Sequence, residues 1–170
     1  SDKIEKNQKE DFSKSLRIIV KQINQIENLV NQFSDFARMP KPIFKNNNLV
    51  LLINDNINLI KELDNEISIN FKRNLDEIIL NSDNEQLSRV FFNILKNSIE
   101  SIQEKSLINK GFKGNVDITL NSNESNISFV IIDNGLGFDM FNKNIKEILN
   151  PYFTTKKKGT GLGLAIVNKI

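Results

Sequence analysis

The chain has 170 residues, of which 39% are hydrophobic and 26% charged, and its net charge is +2. This composition is ordinary for a soluble globular protein, and the charge is too small to indicate binding to nucleic acid or to a membrane surface. The sequence has no cysteine and no histidine, which excludes disulfides, thiolate metal sites, histidine catalysis and phosphorylation of a histidine on this chain. No apolar run reaches the roughly 18 residues that span a bilayer and no signal peptide is recognisable, so we expect a cytoplasmic protein.

Residues 1–37 are predicted to form one long helix, since neither glycine nor proline interrupts them. The apolar residues recur in alternating steps of four and three, as in a heptad seam: Phe12, Leu16, Ile19, Ile23, Ile26, Val30 and Phe33. The seam favours a helical bundle or coiled coil, although an amphipathic helix packed on its own domain shows the same pattern. Because an exposed apolar stripe promotes association, we expect this helix to self-associate. Pro40 and Pro42 then end the helix and predict a linker over residues 39–43.

Residues 44–170 are predicted to alternate between helices and strands. The pattern indicates helices at residues 49–63, 83–102, 143–149 and 162–170, strands at 67–71 and 78–80, and a hairpin of strands at 116–120 and 127–132. Asn48 is predicted to be the N-cap of the first of these helices, and Asp83 stands at the start of the second. Such an order predicts an α+β fold, a two-layer sandwich with a mixed sheet and helices on one face.

Two asparagines mark the polar face of the helix predicted over residues 83–102. Asn93 and Asn97 are four residues apart, so their side chains point the same way. A side-chain carbonyl there can be one ligand of Mg²⁺, which takes few protein ligands together with water and phosphate oxygens. On these residues alone, the alternative interpretation is a solvated helix face in an asparagine-rich chain, and the two asparagines by themselves do not favour a metal site over it.

Five of the seven glycines fall in two short clusters. The first cluster, Asp133-Asn-Gly-Leu-Gly137, follows the end of a predicted strand. Its carboxylate can accept a hydrogen bond from an exocyclic amine such as that of adenine, and its glycines let the backbone approach a planar base. A simple turn between strands would use the same residues.

The second cluster, Gly159-Thr-Gly-Leu-Gly163, opens a predicted helix and follows three lysines at residues 156–158. Backbone N–H groups at the start of a helix attract phosphate, and the lysines add positive charge. Neither a Walker A loop nor a Rossmann fingerprint fits this spacing. A basic loop followed by a helix start is the alternative interpretation.

Taken in this order, the segments resemble the ATP-binding (Bergerat, or GHKL) fold of sensor histidine kinases. The boxes of that fold match as follows: the N box Asn93-Ile-Leu-Lys-Asn97-Ser, the G1 box Asp133-Asn-Gly-Leu-Gly137, the F box Pro151-Tyr-Phe-Thr-Thr155 and the G2 box at residues 159–167. The resemblance covers essentially the whole chain, and residues 33–42 are most similar to nitrogen-regulation sensors of the NtrY type.

The resemblance implies three regions. Residues 1–38 would be the second helix of a dimerisation and phosphoacceptor hairpin, whose first helix and histidine are absent from this chain. Residues 39–43 would be a linker, and residues 44–170 would form the ATP-binding catalytic domain, without the strands that normally follow the last helix.

The resemblance also implies a site for ATP and Mg²⁺. Asn97 would bind the metal with support from Asn93, Asp133 would bind the adenine amine, Lys156 would hold phosphates, and residues 138–160 would form a mobile lid. The residues implied to contact ATP are Asn93, Asn97, Asp133, Gly135, Gly137, Tyr152, Thr155, Lys156, Thr160, Gly161, Leu162 and Gly163.

Several residues depart from the family pattern, and these departures limit the catalytic roles that the resemblance implies. Asn93 stands where related ATPases place a glutamate base, so transfer to a docked acceptor is favoured over hydrolysis. Glu100 stands where many members carry a basic residue, and Leu149-Asn150 replaces the more usual Phe-Glu. No residue of this chain is a certain catalytic residue, because the phosphoacceptor histidine is missing.

The leading hypothesis is therefore the ATP-binding catalytic part of a two-component sensor histidine kinase that acts as a homodimer. The γ-phosphoryl group would pass to a histidine on the hairpin of the same kinase or its dimer mate, and then to an aspartate of a response regulator. The parent protein would be anchored in the inner membrane. A non-catalytic nucleotide-binding regulator and a protein serine kinase of the anti-sigma type are the alternatives, and the heptad helix argues against the second.

Overall fold

The computed structural model describes residues 2–138, 145–156 and 159–170, and the chain divides into two units, Ser1–Pro40 and Lys41–Ile170. The first unit is a single helix, α1 (Asp2–Ala37). The apolar side chains of its heptad seam are between 45% and 66% exposed, so in a single chain they face solvent. Its assignment to a dimerisation hairpin stays a prediction.

The second unit contains five strands and four helices within the described residues. In chain order they are β1 (Lys45–Asn48), α2 (Leu49–Leu63), β2 (Ser68–Arg73), β3 (Ile79–Ser82), α3 (Asn84–Ile108), β4 (Asn115–Ser122), β5 (Ile127–Asp133), α4 (Ile145–Ile148) and α5 (Gly163–Lys169). No helix in the described part of the chain combines the length and the apolar character needed to cross a membrane.

Three strands form a mixed sheet in the order β2-β4-β5, with β2 parallel and β5 antiparallel to the central β4. Strands β1 and β3 form a separate antiparallel pair. In β4, alternate residues are buried because successive side chains point to opposite faces of the sheet: Val116, Ile118 and Leu120 are fully covered. The predicted α+β fold with a mixed sheet is therefore confirmed.

Helices α2 and α3 cover that face of the sheet and complete the core. Their apolar residues recur at helical spacing, so that one stripe of each helix is buried. The most deeply buried side chains on the two helices are Ile53, Ile60, Leu95 and Ile102. The opposite face of α3 is polar, and it is this face that carries the asparagines singled out in the sequence.

The predicted N-cap Asn48 is present, and Asp83 also caps its helix. The Asn48 side chain accepts a hydrogen bond from the Val50 N–H at 3.0 Å, and Asp83 accepts one from the Gln86 N–H at 2.9 Å. The second carboxylate oxygen of Asp83 accepts from the Ile43 N–H at 2.6 Å, which ties the start of the second unit to the beginning of α3. These backbone hydrogen bonds, led by that from Gln86, lower the pKa of Asp83.

Two elements differ from the prediction. The strand β1 was not predicted, because its sequence Lys-Asn-Asn-Asn has no apolar residue; it forms by pairing with β3. Helix α3 continues to Ile108 rather than ending at Ile102. The apolar periodicity stops at Ile102, but the residues that follow contain no helix breaker, so the helix extends into solvent.

Candidate nucleotide-binding site

The N box and the G2 box meet where α5 begins beside the middle of α3. The Asn93 Nδ2 donates to the Arg89 carbonyl oxygen at 2.8 Å, which fixes the orientation of its amide. A methyl group added at Gly163 would lie 3.2 Å from the Asn93 Oδ1 and 3.9 Å from the Asn97 Nδ2. The structure therefore brings both asparagines and the start of α5 together.

The G1 turn lies at the end of β5, on the same face of the sheet as the core. Asp133 pairs in register with the buried Val116, and its carboxylate is half-buried. Its Oδ1 accepts a hydrogen bond from the Gly135 N–H at 2.9 Å, and among the described residues no donor is bonded to its Oδ2. A carboxylate held in this way has one oxygen left to accept a hydrogen bond from an amino group.

The G1 turn packs directly on α3. A methyl group at Gly135 would lie 2.7 Å from the backbone carbonyl carbon of Ser101, so only glycine fits there. The N–H groups of Leu136 and Gly137 donate to the carbonyl and hydroxyl oxygens of Ser101 at 3.3 and 3.2 Å. The turn is therefore held at a fixed distance from the helix that carries Asn97.

The F box and the G2 box are joined by a close backbone contact. The Tyr152 N–H donates to the Gly161 carbonyl oxygen at 3.0 Å, and both residues have positive φ, +68° and +67°. A methyl group at Gly161 would lie 2.7 Å from the backbone nitrogen of Phe153. Gly161 is required here by its conformation and by the space available, whether or not a ligand is bound.

Lys156 reaches α3 but is paired with a carboxylate. Its ammonium group lies 2.5 Å from Glu100, and both side chains are only partly exposed. Lys96 lies on the other side of Glu100, at 4.0 Å. The amino group predicted to hold phosphates is thus paired with Glu100, the residue that departs from the family pattern.

The remaining predicted residues divide by exposure. The Tyr152 and Thr155 side chains are exposed and that of Thr160 is half-buried, whereas the Leu162 side chain is fully buried, so only its backbone is available to a ligand. In the described part of the chain, no group of three or more carboxylates is placed to hold a metal ion. Most of the predicted lid is described; residues 139–144 and 157–158 lie outside the described residues.

Two residues that contact the G1 turn, Ser101 and Lys105, were not predicted. They continue the series of Asn93 and Asn97 along α3 in steps of four, so they lie on the same helical face. That spacing is the signal in the sequence by which they could have been found.

The mixed sheet, the covering helices and the glycine turns gathered along one helix define an ATPase domain of the Bergerat type. Residues 82–170, just over half of the chain, match the family model for histidine kinase-, DNA gyrase B- and HSP90-like ATPases. The chain belongs to this family.

Similar proteins include sensor kinases of the NtrY type. The chain is 34% identical over 160 residues to the putative sensor histidine kinase NtrY-like of Rickettsia bellii, covering 94% of this chain and 25% of the relative. It is 33% identical over 168 residues to the nitrogen regulation protein NtrY of Azorhizobium caulinodans, covering 95% of this chain and 20% of the relative. The chain thus spans about a quarter or less of the length of these relatives.

The fold is also that of solved kinase structures. The catalytic domain of histidine kinase ThkA matches with a TM-score of 0.63 and 28% identity, over 75% of this chain and 79% of that chain. Full-length ShkA in complex with AMPPNP matches with a TM-score of 0.69 and 20% identity, over 92% of this chain and 33% of that chain. At that identity, the second likeness concerns the fold alone.

The contact between Gly161 and the F box predicts a large cost for Gly161→Ala. Gly111 is the matched control, because its φ is also positive, +85°, but a methyl group there would meet nothing within 4 Å. We expect Gly111→Ala to lower the free energy of unfolding by about 1 kcal/mol, from backbone strain alone, and Gly161→Ala to lower it by at least about 2 kcal/mol, from strain and overlap. Urea denaturation measures the free energy of unfolding of both variants. Equal decreases for the two variants would contradict the close contact at Gly161.

Proposed function

We propose that this chain is the ATP-binding catalytic part of a two-component sensor histidine kinase. The observation that carries the proposal is the convergence on α3 of Asn93, Asn97, the Asp133 turn and the start of α5. Membership of the ATPase family and the names of the relatives support the same function. Since the chain contains no histidine, the acceptor histidine must belong to another part of the kinase or to another protein.

The residues present fit ATP and Mg²⁺. In this proposal the second carboxylate oxygen of Asp133 would accept a hydrogen bond from the adenine amine, and Gly137 would lie against the base. Asn97 would provide one metal ligand, supported by Asn93, and the phosphates and water would complete the set. The full set proposed to contact ATP is Asn93, Asn97, Asp133, Gly135, Gly137, Tyr152, Thr155, Lys156, Thr160, Gly161, Leu162 and Gly163.

When bound, ATP supplies the phosphoryl group, and Mg²⁺ neutralises the phosphate oxygens. The chain's own contribution is to hold and orient the nucleotide. Asn93 cannot deprotonate a water molecule as a glutamate would, which suppresses hydrolysis and preserves ATP for a docked histidine. The contributions of this chain are therefore binding and positioning, which account for most of the catalysis in phosphoryl transfer.

We propose the same three regions that the sequence predicts: residues 1–38 as a hairpin helix, 39–43 as a linker and 44–170 as the catalytic domain. The exposed seam of α1 supports pairing with other helices in a homodimer, since Phe12, Ile26 and their neighbours are otherwise open to water. A response regulator would receive the phosphoryl group from the hairpin, and the parent would be anchored in the inner membrane.

The ion pair between Lys156 and Glu100 predicts that Glu100→Gln strengthens the binding of Mg-ATP. The substitution removes both the competitor for Lys156 and a negative charge near the phosphates, so we expect the dissociation constant to fall by about threefold to tenfold. Glu104→Gln, an exposed change one turn further along α3, is the control and should leave affinity unchanged. Calorimetric titration measures both; weaker binding by Glu100→Gln would contradict the role given to Lys156.

Phosphoryl transfer tests the proposed function. Incubated alone with ATP labelled at the γ-phosphate, the chain should not become labelled, since it has no histidine. After addition of the phosphoacceptor hairpin of an NtrY-type relative, acid-labile label should appear on the hairpin. Label on the chain itself, or acid-stable label on a serine of a protein substrate, would contradict a histidine kinase. Binding of ATP with no transfer to cognate or related hairpins would favour a non-catalytic regulator.

A further inference from the structure

The polar face of α3 continues beyond the two asparagines of the proposed site. Asn93, Asn97, Ser101 and Lys105 follow one another in steps of four, which places them in one inclined row that turns by about 40° around the helix at each step. The first two lie beside Gly163, whereas Ser101 and Lys105 contact the G1 turn. One helical face therefore reaches both glycine clusters.

Lys105 binds two successive carbonyl groups of the turn. Its ammonium group donates to the Asn134 carbonyl oxygen at 2.6 Å and to the Gly135 carbonyl oxygen at 3.2 Å. The same ammonium lies 4.7 Å from the centre of the Phe112 ring, which itself packs against the core. The cation is thus fixed between an anchored aromatic ring and the backbone of the turn.

Ser101 holds the other half of the turn, through its bonds from the N–H groups of Leu136 and Gly137. Gly135 links the two halves, since its carbonyl binds Lys105 and its N–H binds the Asp133 carboxylate. The orientation of Asp133 therefore depends on contacts that begin at α3, although neither Ser101 nor Lys105 is among the residues proposed to contact ATP.

We propose that Lys105, together with Ser101, is a positioning residue for the adenine end of the nucleotide. The inference rests on the proposed function, in which Asp133 accepts the adenine amine. Without Lys105, the carbonyl groups of Asn134 and Gly135 would form hydrogen bonds with water instead. The G1 turn would then adopt more conformations. The nucleotide would then have to order the turn as it binds, and affinity falls by the cost of that ordering.

The test compares Lys105→Met with Lys105→Arg and with Lys110→Met, an exposed lysine just after α3. Adenosine, ADP and Mg-ATP are titrated into each purified chain by calorimetry, and melting temperatures are recorded. Lys105→Met should weaken all three ligands by the same factor, about tenfold, since adenosine is common to them. Lys105→Arg, which keeps the donors, should restore most of the affinity, and Lys110→Met should match the wild type.

Amide hydrogen exchange gives a second readout without any ligand. Lys105→Met should speed exchange at residues 135–137 while the melting temperature stays within about 2 °C of the wild type. Unchanged exchange and unchanged affinity would overturn the inference. A loss of affinity for Mg-ATP alone would also overturn the inference, because a defect at the adenine end must weaken the binding of adenosine by the same factor. Failure of the wild type to bind any of the three ligands would contradict the proposed function, and it would contradict this inference as well.

Discussion

The close packing of two glycine turns against α3 is the constraint on which the rest of the site depends. At Gly135 a single methyl group would overlap the backbone of Ser101, and at Gly163 it would press on the Asn93 amide. The G1 turn can approach the helix this closely only because Gly135 lacks a side chain, while Gly163 leaves the Asn93 amide its present position. The two glycine segments are therefore fixed to one rigid element at Asn93 and Ser101, about 12 Å apart along the axis of α3.

Helix α3 can serve this purpose because its other side is anchored in the core. Leu95 and Ile102 are fully buried among the residues of α2 and β4, so the helix cannot rotate without exposing them. Its N-terminus is capped by Asp83, which also binds the N–H of Ile43, the last residue of the predicted linker. Because those bonds favour the ionised carboxylate and lower the pKa of Asp83, the cap is maintained at neutral pH and is lost only in acid.

The sequence predicted the parts of this arrangement that depend on local pattern. Apolar periodicity identified α2, α3 and the β4–β5 hairpin, and the caps Asn48 and Asp83 placed the start of each helix. Strand β1 escaped prediction because its asparagines carry no apolar signal and only pairing with β3 makes it a strand. The Lys105 contacts and the pairing of Lys156 with Glu100 were not predicted either. Both join residues that are distant in the sequence and are brought together only by the tertiary fold.

The most direct test of a nucleotide site on α3 is an NMR titration of the ¹⁵N-labelled chain with Mg-ADP. We expect saturable shifts of the amide resonances in residues 133–137, around Asn97 and in residues 161–163, the three segments gathered along α3. Amides of Thr119 and Val130, in the central and edge strands of the sheet, should remain unchanged. Absence of saturable shifts, or shifts concentrated on the β4–β5 surface instead, would contradict a nucleotide site built on α3.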